Sequence, residues 1–213
     1  LREMLVATRD RILINLDNKL DIGALPAMIT VARDLGVADQ VIVKENLWNR
    51  QRIDAARAVL ATTGGGFEFM PIIADDAVRD AAFAEEVGRA FSPHAIELIN
   101  WRAGAETLTA TGGPLFSTRM RAVAARGNWH LWADTYAIVN KPCGFLAGGR
   151  GDELAVAASM PREAWGFWAD RGATIIQTDE PGAAIDWLAA NGYRVPYVGE
   201  RRSAEPAHTA SIN

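Results

Sequence analysis

Cysteine, histidine and lysine are all scarce in this chain of 213 residues, and each shortage excludes something. The single cysteine, Cys143, rules out an internal disulfide framework and a cysteine-built zinc cage, while leaving the redox compartment open. The three histidines supply no evident general acid and base, because His94 and His130 open strand-like runs and His208 falls in the polar C-terminal stretch. No apolar run approaches the ~20 residues that cross a bilayer, and the opening LREMLVATRDR carries charge where a signal peptide is apolar. The chain reads as having no membrane span. With 22 basic against 26 acidic residues there is no positive excess to track a nucleic-acid backbone. A glycine-rich phosphate loop after a strand is also missing: Gly64 to Gly66 precede a strand-like run, and GGRG at 148 to 151 lies inside a long loop.

Only three of the 22 basic residues are lysine, namely Lys19, Lys44 and Lys141. Where arginine is the default cation, a compact and flexible ammonium marks a position worth inspecting.

What the sequence has in quantity is alternation. Apolar runs rich in β-branched residues, RILINLD (11 to 17), QVIVKE (40 to 45), FEFMPIIA (67 to 74), HAIELIN (94 to 100), WHLWADTY (129 to 136) and ATIIQTD (173 to 179), are each followed by a helical pattern. The helices carry punctuation: Asp75 and Asp76 suit a helix start, Pro161 opens another, and Gly36 and Gly172 close two more. Unbroken strand-helix alternation predicts a parallel sheet with helical crossovers, whose ligand site lies at the carboxyl ends of the strands. A single domain over residues 1 to 192 with a C-terminal tail over 193 to 213 follows. A (β/α)8 barrel usually takes about 250 residues and eight units. Against that, this chain shows about six, and it begins at Leu1 without an initiator methionine, so the expected missing units are the first two.

The strand ends carry Asp17 and Lys19, Lys44 and Glu45, Asp75 and Asp76, Glu97 and Asn100, Trp132 and Asp134, and Gln177 and Asp179. Turns favour Asp and Asn in any case, but such a ring of carboxylates with a few cations suits a divalent metal and a phosphate-like anion. Asp17 and Lys19 leave the same face of their strand, and Lys44 and Glu45 leave opposite faces, with Lys44 favoured as the inward one. Trp132 offers an apolar wall, and Asp179 doubles as a helix cap.

The closing GATIIQTDEPGAAIDWL (172 to 188) resembles the last strand and helix of the glycerophosphodiester phosphodiesterase family. RILINLDNK resembles that family's third strand with its acid-x-lysine pair, HLWADT its substrate-pocket tryptophan strand, and GGRGDELAV and AWGFWADRG are similar to segments of bacterial members. The resemblance spans roughly residues 1 to 190 and implies an α/β fold, a (β/α)8 TIM-type barrel. It implies a metal-dependent hydrolase that cleaves glycerophosphodiesters to glycerol phosphate and an alcohol. It further implies Lys19 and Lys44 as catalytic phosphate contacts, Trp132, Asp134 and Gln177 as substrate-binding residues, Asp17 as a ligand to Mg2+ or Ca2+, and a periplasmic or secreted location. The family's two histidines and its Glu-x-Asp metal pair have no counterpart here, so weak metal binding and little hydrolysis are expected of this chain by itself. Two other readings stand beside this one: a non-catalytic barrel that binds phosphorylated ligands, and a carbonyl enzyme with Lys44 or Lys19 as a Schiff-base amine. The oligomeric state stays open.

Overall fold

A computed structural model of the chain describes residues 1–101, 108–136 and 146–195. Six strands, β1 (Ile14–Asp17), β2 (Val41–Asn46), β3 (Glu68–Ala74), β4 (Ala95–Ile99), β5 (His130–Asp134) and β6 (Ala173–Gln177), pair in sequential order in one parallel sheet. Helix α1 (Arg2–Thr8) precedes β1; α2 (Leu25–Asp34), α3 (Arg50–Ala61), α4 (Ala81–Phe91), α5 (Thr118–Gly127), α6 (Trp165–Asp170) and α7 (Pro181–Ala190) each follow the strand of the unit before them. All five strand pairings are parallel, as helical crossovers require.

The sheet curls into an open half-barrel, which corrects the expected closed (β/α)8 barrel. Closure demands that the first strand hydrogen-bond to the last with a fixed stagger, whereas among the described residues β1 pairs with β2 alone and β6 with β5 alone. What survives of the barrel geometry is the division of each strand between two faces. Val41, Val43, Ile73, Ile96, Leu98, Leu131 and Ala133 face the helices and share one apolar core with Leu25, Ile29, Ile53, Val87 and Met120. Residues of the other parity, including Lys44, Met70, Ile72, Glu97, Trp132 and Asp134, are buried but turn to the concave side, outside that core.

Two local readings also need correction. Asp75 and Asp76 do not start α4: the Asp75 carboxylate accepts from the Trp101 backbone N–H at 3.0 Å, tying the end of β3 to the end of β4, and Asp80 caps the helix by accepting from Ala82 N. Asp179 is not the cap of α7 either, since its backbone N–H is drawn to the Asp152 carboxylate and no side chain caps that helix. The expected tail starts late, because Tyr193 stacks on Trp187 and its hydroxyl donates to Asp170; residues beyond 195 lie outside the described ones.

Between α4 and α5 the Trp129 ring lies over Gly88 and Gly127 at distances that leave no room for a Cβ on either. Overpacking of this kind typically costs about 1–3 kcal/mol. Gly88→Ala is therefore expected to lower stability by that amount in urea denaturation. Gly65→Ala, with nothing within 4 Å of the added carbon, serves as the neutral control.

Candidate functional site at the carboxyl rim of the sheet

Lys44 sits on β2 in register with Asp17 of β1 and Met70 of β3, so its side chain enters the concave side. It is 2% exposed, a burial an ammonium tolerates only with partners. Two are present: Nζ forms an ion pair with Glu97 of β4, and it lies 4.6 Å from the centroid of the Trp132 ring on β5. One lysine thus spans from the second strand to the fifth, which only a curled sheet permits. Glu45 leaves β2 on the opposite face, where Arg52 of α3 pairs with it at 2.5 Å and Asn18 donates to it at 2.8 Å.

Trp132 is the register partner of Glu97, and its indole N–H donates to Gln177 Oε1 at 3.1 Å. Asp134, two residues nearer the rim on the same face, is the register partner of Gln177 and is 2% exposed. Neither carboxylate oxygen of Asp134 has a hydrogen-bond donor among the described residues, and Asn46 Oδ1, on the concave parity of β2, is likewise without one. Burial, followed by the Glu97 charge, pushes the Asp134 carboxyl well above the ordinary Asp range, with Lys44 pulling the other way. Burial and the neighbouring Glu97 charge thus favour the neutral form of Asp134 over a second carboxylate at this point. Tyr136 continues the same alternation one step past the strand, and its phenol is pushed up to about 12 by burial and by the charges of Asp134, Glu97, Asp17 and Asp179.

Of the residues expected at this site, Lys44, Trp132, Asp134 and Gln177 come together on the concave side. Asp17 shares the register of Lys44 but stands on the edge strand, where its carboxylate is tied to Lys19 at 2.7 Å. Lys19 does not converge with Lys44: it lies past the end of β1, its side chain is 80% exposed, and no strand flanks it on the outer side. Lys141 and Cys143 lie outside the described residues. His94 and His130 stand at the opposite, amino-terminal rim, bonded to Glu68 at 2.7 Å and to Thr174 at 2.9 Å.

The donor set does not fit the divalent cation that the resemblance implies. A hard cation takes about six oxygen ligands, usually with more than one acid among them. Asp17 is engaged by Lys19, Glu97 by Lys44, and among the described residues no group of three or more His, Cys, Asp or Glu side chains converges on a point.

Tyr136 is a functional candidate that strand-end counting passed over, and Glu97 was counted there without being given a role. For Glu97 a signal existed: a lone acid in the middle of the apolar run AIELI is buried whichever way it faces and needs a partner. For Tyr136 the signal was its place in the period-two series Trp132, Asp134, Tyr136. Asn46 carried none.

Against models of known protein families the chain gives no match, and no curated protein matches it. Among the described residues no helix is long and apolar enough to cross a membrane.

Proposed function

We propose that the chain is a hydrolase of the glycerophosphodiester phosphodiesterase type, which binds a phosphodiester at the carboxyl rim of the concave face and cleaves it to glycerol phosphate and an alcohol. The observation that carries the reading is Lys44, a cation fixed inside the curl by Glu97 and by the face of Trp132, next to a carboxyl whose ionisation burial disfavours. An ammonium has three N–H donors. Glu97 is its ion-pair partner, and an N–H turned away from Glu97 and from the Trp132 face would meet a phosphoryl oxygen and offset the charge that builds there in the transition state. The near neutrality of the site supports the same reading, because Asp17 is balanced by Lys19, Glu97 by Lys44, and Asp134 resists ionisation. Trp132 and Gln177, hydrogen-bonded to each other, supply an apolar wall and an amide for the alcohol portion. No step is assigned to a metal.

The carbonyl-enzyme alternative is weaker at Lys44, whose Nζ is engaged by Glu97, whereas a Schiff-base amine must present a free lone pair. The test is hydrolysis of bis(4-nitrophenyl) phosphate and of a glycerophosphodiester, each with and without added Mg2+ or Ca2+. Slow turnover of both diesters is expected of this chain, with a raised KM in Trp132→Leu, and with metal dissociation constants of ~1 mM or weaker in calorimetry. Binding of the glycerophosphodiester without turnover supports a ligand-binding protein instead. A borohydride-trapped adduct at Lys44 supports the carbonyl enzyme, and neither binding nor turnover refutes the phosphodiester reading.

A further inference from the structure

The scarcity of histidine leaves the proposed hydrolysis without the usual proton donor, and the concave face holds an unassigned group that can supply one. We propose that Asp134 is the general acid of the site, handing its proton to the leaving alkoxide oxygen, and that Glu97 is the positioning residue that keeps the proton there. The inference rests on the phosphodiester reading and goes beyond it.

Its basis is placement. Glu97 and Asp134 point to the same side of the sheet from adjacent strands, and Asp134 is the outer of the two, two residues nearer the rim than Trp132, the register partner of Glu97. Glu97 is fixed from below by the Lys44 ion pair, so its remaining capacity is directed at Asp134. Both oxygens of Asp134 are buried and without a hydrogen-bond donor among the described residues, an arrangement that suits a carboxylic acid and penalises a carboxylate. Besides burial, the groups that act on its protonation are Glu97 from β4, Lys44 from β2 and the Trp132 side chain on β5.

The step balances without a further reagent. The oxygen of a water attacks phosphorus opposite the leaving group, the bond from phosphorus to the ester oxygen breaks, and that oxygen takes the Asp134 proton and departs as the alcohol. One water proton stays on the new phosphate oxygen and the other goes to solvent, from which Asp134 is reprotonated.

Leaving groups provide the test. An alkoxide needs protonation to depart and a nitrophenolate does not, so Asp134→Asn is expected to slow cleavage of a glycerophosphodiester about 100-fold or more. Bis(4-nitrophenyl) phosphate should be cleaved at nearly the wild-type rate. A structural defect would slow both equally. In Glu97→Gln the negative charge that holds the proton is gone, so the alkaline limb of the pH–rate profile should move to lower pH; if that variant does not fold, the Asp134→Asn comparison decides alone. Equal losses on the two substrates, or no loss, overturn the inference while leaving the phosphodiester reading in place. Failure of the wild type to cleave either substrate overturns both.

A second readout needs no activity. A group whose folded pKa is raised contributes its stability fully below the ordinary Asp value and loses it as pH rises through the folded value. Asp134→Asn imitates the protonated form at every pH. It is therefore expected to be more stable than wild type at neutral pH, and equal or lower stability there counts against a proton held on Asp134.

Discussion

Replacing Lys44 by methionine is expected to destabilise the protein by about 3–5 kcal/mol, the usual loss when one partner of a buried ion pair is removed and the other is left uncompensated. Methionine keeps the length and apolar stem of lysine, so the effect isolates the charge. Without the ammonium, Glu97 has lost its ion-pair partner, Asp134 has lost the charge that pulled its carboxyl back toward ionisation, and Trp132 has lost the cation on its face. The deficit should depend on pH with a definite sign. Removing the cation raises the folded pKa of Asp134 further, so its contribution is present in acid and is lost as pH rises. Lys44→Met should thus lie closest to wild type in acid and furthest from it at neutral pH and above. Adding Glu97→Gln should return a large part of the loss, because an apolar methionine beside a neutral amide leaves no buried charge unpaired. Urea denaturation of the two single variants and the double variant at several pH values checks all of this. A double variant no more stable than Lys44→Met would mean that an uncompensated Glu97 charge is not the source of the loss.

This ion pair marks the boundary of what the amino-acid order discloses. The strands were readable because each is a short apolar run ended by polar residues, and their parallel arrangement was readable because helical patterns fill every gap. The opposite faces of Lys44 and Glu45 follow from a period of two. Which residues meet across the concave side does not follow, because Lys44 touches Trp132 only if the sheet curls enough to bring β2 toward β5. Curl and closure are sums of small twists over the whole sheet, so the same alternation serves an open half-barrel and a closed barrel alike. The misplaced helix start has a similar cause. Asp75 and Asp76 look like a cap, but an N–H from the neighbouring strand end competes for Asp75 and wins, and the next acid, Asp80, takes the role. Lys19 does not meet Lys44, because spacing on the edge strand fixes its face but not the end of the strand, beyond which it pairs with Asp17 in solvent.

Asp152→Ala is the second substitution expected to be severe, at about 3 kcal/mol or more. It belongs to no strand, yet it joins the ends of β5 and β6 to α6. Oδ1 accepts from the Thr135 hydroxyl at 2.9 Å and from the Trp165 indole at 3.0 Å; Oδ2 accepts from the Thr178 hydroxyl and from the Asp179 backbone N–H, both at 2.8 Å. The residue is 4% exposed, so alanine would strand four donors where water does not reach, each worth about 1–3 kcal/mol if wholly unmet. The two threonine hydroxyls can rotate, and Thr135 already reaches the Gln177 carbonyl at 3.0 Å, which keeps the total well below the sum. Asp152→Asn should recover part of the loss. Its single carbonyl oxygen satisfies one side of the cluster, while its amide can donate to a threonine hydroxyl but faces the Asp179 N–H or the Trp165 N–H donor to donor. The order of stability should therefore be wild type, asparagine, alanine. Because Thr135 and Thr178 directly follow Asp134 and Gln177, loosening this cluster should also disturb the rim of the site. The expected signature in the asparagine variant is a raised KM for a glycerophosphodiester with nearly unchanged kcat. A fully stable Asp152→Ala would show that the ends of β5 and β6 are held by their backbone pairing alone.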